Sequence, residues 1–251
     1  MIGVILAAGM AKRLRPLTDE CPKCLLKVGQ RTLLQRTVDA IINAGINELV
    51  VVTGYKNNMI VDFLRTNYPS LAIHFIDNPD YAHNNNIFSL WLTRPYTEGK
   101  DFLLLDSDIL FDPAIVSTIV GEEGTVLALN RHELGEEEIK VIIDHKGYVR
   151  EISKVCAINK AIGESVGIEK MTADYSKALF QELQRMIVEE GLIDVFYEKA
   201  FERLIPQGFT FRIVDTTRFF SIELDTVEDF ENAKKLLPAN LYWCDYLKWT
   251  F

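Results

Sequence analysis

Short runs of consecutive apolar residues alternate with amphipathic segments through the first half of the chain. Ile2–Leu6 reads as a buried strand, and Glu48–Thr53, Leu71–Ile76, Phe102–Leu105 and Thr125–Leu129 repeat the type. Between them, Thr32–Ala44 carries Leu33, Leu34, Val38, Ile41 and Ile42 at helical spacing and stops at Gly45. Asn58–Asn67, Asn86–Thr93 and Pro113–Val120 predict further helices. Strand and helix in strict alternation predict a mostly parallel sheet covered on both faces, an α/β three-layer sandwich.

The rhythm changes after residue 124. Ile139–Ile143 and Tyr148–Ser153 predict a hairpin turning through Asp144-His145-Lys146-Gly147, and Ser165–Glu169 predicts a strand among glycines. Thr172–Glu190 predicts a long helix ended by Gly191, and Asp194 is expected to cap a second one reaching Leu204. Thr210–Val214 and Phe219–Leu224 return as strands before a closing helix, Thr226–Leu237. The expected organisation is one domain over 1–251. It has a core at 1–129, a smaller inserted α+β region at 130–210, and a closing strand, helix and aromatic tail at 211–251.

Composition narrows the function. The 251 residues are 48% hydrophobic and 25% charged, a globular balance that excludes disordered and collagen-like chains. The net charge of −9 argues against nucleic-acid binding, which needs a basic face. No apolar run reaches the roughly 18 residues of a membrane span. The apolar start lacks a basic n-region and is expected to be a strand rather than a signal peptide. Four cysteines without such a leader suggest a reducing compartment, so a cytoplasmic location is expected.

Candidate chemistry begins where the first strand ends. Leu6-Ala7-Ala8-Gly9-Met10-Ala11 is a turn of mostly small residues, whose backbone N–H groups can approach a phosphate closely. Lys12, Arg13, Arg15 and Lys23 then place four cations on one long loop. A loop of more than about 20 residues in a compact domain is usually functional, and α/β sheets bind ligands at strand carboxyl ends. A polyanion such as a nucleoside triphosphate is the expected ligand. Neither a Walker A loop nor a dinucleotide fingerprint is present. Further on, Leu103-Leu104-Leu105-Asp106-Ser107-Asp108 ends an apolar strand in two carboxylates, expensive unless they hold something. Period-two alternation would point Asp106 and Asp108 to the same side.

Leu6-Ala7-Ala8-Gly9, Arg13-Leu14, Pro16-Leu17-Thr18 and Pro22-Lys23 with Leu25-Leu26 resemble the signature of the sugar-phosphate-type nucleotidyltransferases. These enzymes join an NTP to a phosphate monoester and release pyrophosphate. The resemblance implies a Rossmann-like sandwich, Mg²⁺ as cofactor, Lys23 and Arg13 as catalytic cations, and nucleotide contacts from Leu6 through Lys12. It implies Asp108 as a metal ligand, with Asp106 orienting water or the metal's surroundings. Ser221-Ile222-Glu223-Leu224-Asp225-Thr226 is similar to the family's late acidic element and makes Asp225 the second ligand. Glu223 stands beside it as a metal or acceptor contact. Helix capping is the competing role for Asp108, Asp112 and Asp225. The family usually has glycine where this chain has Ala11.

Asn84-Asn85-Asn86 with Ser89 exceeds the needs of a helix cap, and asparagine offers both donor and acceptor to a pyrimidine or ribose. The stretch resembles the choline-phosphate and aminoethylphosphonate cytidylyltransferase branch, which implies CTP. Lys154 and Glu164 are expected on the acceptor. A quaternary ammonium cage among Trp91, Tyr175, Phe196, Tyr197, Phe219 and Phe220 competes with acidic recognition of an amine. The expected partners are small molecules, CTP and a phosphorylated alcohol or phosphonate. A membrane is not expected, and a homodimer is left open. A sugar-1-phosphate nucleotidyltransferase and a silent nucleotide-binding regulatory subunit are the alternatives. Cys21-Pro22-Lys23-Cys24 also admits a redox or zinc role, though one pair is half a tetrahedral site.

Overall fold

The structure, a computed structural model, describes residues 1–242. From the amino end, β1 (Ile2–Ala7) leads into a long loop with two short 3-10 turns, Lys12–Leu14 and Lys23–Leu25. A small ribbon follows, β2 (Lys27–Val28) and β3 (Arg31–Thr32). Next come α1 (Leu33–Asn43), β4 (Glu48–Thr53), α2 (Asn57–Asn67), β5 (Ala72–Asp77), α3 (Asn86–Leu92) and α4 (Arg94–Thr97). The central part is β6 (Phe102–Asp106), β7 (Ile109–Phe111), α5 (Ala114–Gly121) and β8 (Val126–Asn130). Then β9 (Lys140–Ile143), β10 (Val149–Ser153), β11 (Gly163–Met171), α6 (Ala173–Gln184) and α7 (Glu198–Leu204). The chain closes with β12 (Arg212–Asp215), β13 (Ser221–Glu223), α8 (Val227–Leu236) and α9 (Ala239–Tyr242).

Nine strands share one sheet, whose main path runs β10-β9-β11-β6-β1-β4-β5. Strands β5, β4, β1 and β6 are parallel, and β11 joins β6 antiparallel. The apolar strands are buried on both sides because successive side chains face opposite layers. Val4, Leu6, Val50, Val52 and Leu104 meet α3, α6 and α7. Ile5, Leu49, Val51, Leu103 and Leu105 meet α1, α2 and α5 on the other face. A third cluster packs Phe230, Ala233 and Leu237 of α8 on Leu14, Val28 and Leu33, so the closing helix seats on the cationic loop. The chain builds β4 and β5 on one side of β1, then returns to place β6 on the other. That reversal leaves a crevice at the carboxyl ends of β1 and β6, the usual ligand position in such sheets.

Several local expectations change. The strands of 130–210 extend the main sheet, and β11 is a nine-residue strand bridging β6, β8 and β9. The long helix is α-helical to Gln184 and widens into a π turn over Arg185–Glu189. Asp194 caps nothing: α7 begins at Glu198, and the Tyr197 N–H donates to Asn86 Oδ1 at 2.9 Å. The strand expected at Phe219–Leu224 is the shorter β13, paired with β7 in a separate ribbon. No helix among the described residues is long and apolar enough to cross a membrane. The aromatic tail from Trp243 onward, with Cys244, lies outside the described residues.

Candidate active site

A cleft of about 370 Å³ opens at the β1 and β6 carboxyl ends. Leu6, Ala7, Ala8, Gly9, Ala11 and Lys12 line it, as expected for a phosphate-approaching turn. Met10 does not line it. Nor does Arg15, whose guanidinium turns to Asp19 at 3.3 Å in solvent, so the loop brings three of its four cations to the cleft. Ala11 adopts a left-handed backbone, φ 46° and ψ 53°. An L-residue there carries roughly 1–2 kcal/mol of strain that glycine avoids. The Thr18 hydroxyl donates to the Ala11 carbonyl at 3.0 Å and holds the turn.

Two segments distant in sequence meet on Lys23. Its ammonium donates to Asp108 Oδ2 at 3.1 Å and Asp225 Oδ1 at 2.8 Å, and the Arg13 guanidinium donates to Asp225 Oδ2. The β7–β13 ribbon sets this up. Glu223 pairs with Ile109, and the Leu224 N–H donates to the Asp108 carbonyl at 3.1 Å. Capping falls to other residues: Thr226 and Asp229 form a capping box on α8, and Asp112 accepts from the Ala114 N–H. Asp108 and Asp225 are therefore free to face the cleft. Burial alone would lower the Lys23 pKa, but Asp108 and Asp225 outweigh it and raise it. Burial works to raise Asp225, yet Lys23 and Arg13 hold it below its ordinary value.

Glu223, expected as a metal or acceptor contact, joins these acids. The carboxylates of Asp108, Glu223 and Asp225 offer oxygens within 4.8 Å of one another. Desolvation, then repulsion from Asp108 and Asp225, pushes Glu223 up to about 8. A small all-oxygen, carboxylate-rich donor set suits a hard divalent cation such as Mg²⁺, not zinc or copper. The residues present therefore fit a magnesium site.

Asp106 and Asp108 both line the cleft but take different partners. β6 ends at Asp106, so strand alternation does not carry through the turn to Asp108. The Asp106 carboxyl accepts from the Tyr197 hydroxyl at 2.9 Å instead. Gly167, at φ 72°, makes room for it: a Cβ there would lie 2.9 Å from Asp106 Oδ2. Beneath lie two more buried acids, Glu169 and Glu198. Burial, then Asp108, Glu169 and Glu198, raises Asp106 well above the carboxylate range. Glu169 accepts from Ser165 Oγ at 3.0 Å, while its Oε2 has no partner among the described residues. Burial, then Glu198, pushes Glu169 from 4.5 up to about 8. The folded protein thus holds this proton more tightly than the unfolded chain, and stability declines as pH climbs from about 4.5 through 8. Glu169→Gln removes that loss. Urea denaturation should show the variant more stable than wild type by on the order of 2–4 kcal/mol at pH 9, and nearly equal at pH 5. A difference that does not change with pH would contradict the buried charge.

Asn84, Asn85, Asn86 and Ser89 all line the cleft, and each also has a structural task. Asn84 exchanges amide bonds with Asn78 at 2.9 and 3.1 Å, and Asn78 also donates to Ser89 Oγ. Asn85 caps α3, and Asn86 accepts from Tyr197. The side-chain NH₂ groups of Asn85 and Asn86 make no hydrogen bond among the described residues, so they remain available to a ligand. Asn78 escaped the sequence reading; Asn78-Pro79 closing β5 was its only signal.

On the far wall, Lys154 pairs with Glu137 at 3.3 Å, and Glu164 with His132 at 2.8 Å. Of the six aromatics considered for a cage, Phe196 alone lines the cleft. Tyr175 and Tyr197 are core residues. Cys24 is buried, and desolvation pushes its thiol up to about 12, which leaves an inert core cysteine rather than a redox or zinc group. Cys21 and Cys156 are likewise unbridged.

Comparison with known proteins gives this geometry a setting. The Nucleotidyl transferase family model matches residues 2–123. The chain is similar to a CMP-5'-(3-aminopropyl)phosphonate synthase of Streptomyces rubellomurinus, 31% identical over 129 residues; these are 51% of this chain but 20% of that protein's length. It is also similar to the choline-phosphate cytidylyltransferase of Streptococcus pneumoniae, 24% identical over 94% of this chain and 98% of the relative. A solved structure of the CTP:phosphocholine cytidylyltransferase from Streptococcus pneumoniae superposes with a TM-score of 0.79 at 20% identity, covering 94% of this chain and 99% of that one. The strand-end cleft, the family match over residues 2–123 and the shared fold together support a nucleotidyltransferase family for this chain, near the choline-phosphate and aminoethylphosphonate cytidylyltransferase branch.

Proposed function

We propose that the protein transfers CMP from CTP to a small phosphorylated alcohol or phosphonate and releases pyrophosphate. One observation carries the reading: Lys23 meets Asp108 and Asp225, from opposite halves of the chain, in a cleft floored by the Ala-Ala-Gly turn. Such a constellation combines cations for phosphates with carboxylates for a metal. The half-buried, cleft-lining amides of Asn85 and Asn86 support cytosine or ribose recognition. Cytidylyl transfer in full-length relatives of the same fold supports CTP over other nucleotides.

In this reading an acceptor oxygen bonds to the α-phosphorus of CTP, and the bond to the pyrophosphate oxygen breaks in line. No general base is needed, because the attacking oxygen is already ionised near neutral pH. Lys12, Arg13 and the backbone N–H groups after Gly9 bind the β- and γ-phosphates. Lys23 stabilises the charge growing around the α-phosphate, where a preorganised donor acts most strongly. Lys154 holds the acceptor phosphate after leaving Glu137. Asp108 and Asp225, with Glu223, would hold magnesium, which when bound supplies positive charge to the triphosphate. Residues 1–129 thus serve the nucleotide and 130–210 the acceptor.

The test mixes the purified chain with Mg²⁺, each of CTP, UTP, dTTP and GTP, and phosphorylated alcohols, phosphonates or hexose 1-phosphates, and follows pyrophosphate. CTP with an amino-alcohol phosphate or phosphonate should turn over fastest. Faster turnover of UTP or dTTP with hexose 1-phosphates would instead make it a sugar nucleotidyltransferase. Nucleotide binding with no pyrophosphate from any pair would indicate a regulatory subunit.

A further inference from the structure

The cleft holds more acid than a triphosphate site needs. Lys12, Arg13, Lys23 and Lys154 face seven lining carboxyl groups. Three of these form the metal-fitting triad. A divalent ion answers that triad; of the other lining acids among the described residues, Glu137 pairs with Lys154, Glu164 with His132 and Asp106 accepts from Tyr197, which leaves Glu198 without a side-chain partner.

Glu198 is 5% exposed, and its Oε2 has no hydrogen-bond partner among the described residues. Leaving a buried acceptor unsatisfied is costly, and more so when it is charged. The nearest compensation comes from its own backbone N–H and from Lys154, and burial still pushes the carboxyl up to about 7. The neighbouring Phe196 is 42% exposed at the same wall, with the Lys154 ammonium 4.9 Å from its ring centroid. Lys154, Phe196 and Glu198 therefore form one corner: a cation for the acceptor phosphate, an apolar face, and an acid lacking a donor.

We propose that the acceptor carries a primary ammonium group beyond its phosphate or phosphonate, and that Glu198 recognises it through an N–H···O bond. The inference rests on the cytidylyl-transfer reading and names its acceptor. The observations separate a primary from a quaternary ammonium. A trimethylammonium has no N–H to give Glu198, and it favours several aromatic faces. Among the described residues the cleft lining offers two aromatic side chains, Phe196 and Tyr81. The first already carries Lys154, and the second packs edge-on against Tyr55 beside the β1 and β4 ends. Tyr175, Phe201, Phe209 and Phe211 pack on one another in the core behind. A site built to bond N–H groups discriminates strongly against the analogue lacking them.

The experiment measures kcat/KM for phosphoethanolamine, 2-aminoethylphosphonate, phosphocholine and glycerol 3-phosphate with CTP and Mg²⁺, together with calorimetric binding of each acceptor to the protein alone. The two primary amines should exceed phosphocholine and glycerol 3-phosphate by at least about tenfold in both readouts. Glu198→Gln should raise the KM for phosphoethanolamine about tenfold and bring its ratio to phosphocholine towards one, a change that a merely structural role would not produce. The wild-type comparison stands even if the variant misfolds. Equal or tighter handling of phosphocholine, or an unaltered ratio in the variant, overturns the inference. Absence of pyrophosphate with every acceptor overturns the nucleotidyl-transfer reading instead; calorimetry then still decides the head group, since the primary amine must bind more tightly than its trimethyl analogue.

Discussion

Lys23→Ala is expected to lower kcat for pyrophosphate release at least about 100-fold, the scale of losing one preorganised charge donor. Its side chain is only 10% exposed and bridges the two acids of the cleft. Asp108 and Asp225 raise its proton affinity against the opposing effect of burial, so the ammonium stays charged across the working pH range. In the proposed transition state, that fixed charge faces the phosphorus under attack. Water admitted by the alanine can solvate the charge but cannot hold a donor in place. Because Lys23 acts on the developing charge rather than on bound CTP, the loss should fall on kcat more than on the KM for CTP. Arginine should rescue poorly, since a planar fork cannot reproduce a compact ammonium seated between two carboxylates. Steady-state kinetics with parallel circular dichroism melts check the claim. A folded variant turning over at near the wild-type rate would reduce Lys23 to a counter-ion for the two acids.

How much of this was legible follows from which residues act locally. The parallel strands announced themselves because both faces of β1, β4 and β6 are buried, giving unbroken apolar runs. Thr32 and Thr226, expected to open their helices, stand at those starts as caps, since capping depends on a few neighbouring residues. Lys23, Asp108 and Asp225 were each singled out from their segments, but their meeting depends on the β7–β13 ribbon, a pairing over 100 residues apart in sequence. Glu169 and Glu198 were illegible as buried groups. Nothing in their surroundings marks an acid as core, and β11 alternates around glycines that hide its length. The start of α7 was missed for a related reason. Tyr197 is held by Asn86 and Asp106, two long-range bonds that displace a local cap at Asp194. Arg15 looked equivalent to Arg13, yet only Arg13 reaches the acids.

Asp225→Asn is expected to lower kcat at least about 100-fold and to raise the Mg²⁺ concentration for half-maximal rate at least about tenfold. Ligation and helix capping are separate roles at this position. Asparagine caps helices as well as aspartate does, and α8 is already capped by Thr226 and Asp229. The variant should therefore melt within a few degrees of wild type while losing turnover. The charge balance should shift as well. Asp225 is held ionised by Lys23 and Arg13, and it in turn helps push Glu223 up to about 8. Removing one negative neighbour lets Glu223 ionise more easily, so its carboxyl should titrate at lower pH in the variant when followed by NMR without metal. That second readout is independent of catalysis and tests whether Asp108, Glu223 and Asp225 form one electrostatic unit. A chelator should silence wild-type turnover, with recovery on adding Mg²⁺. Full activity of the asparagine variant at ordinary Mg²⁺, with Glu223 titrating unchanged, would leave Asp225 no role beyond its contact with Lys23 and Arg13.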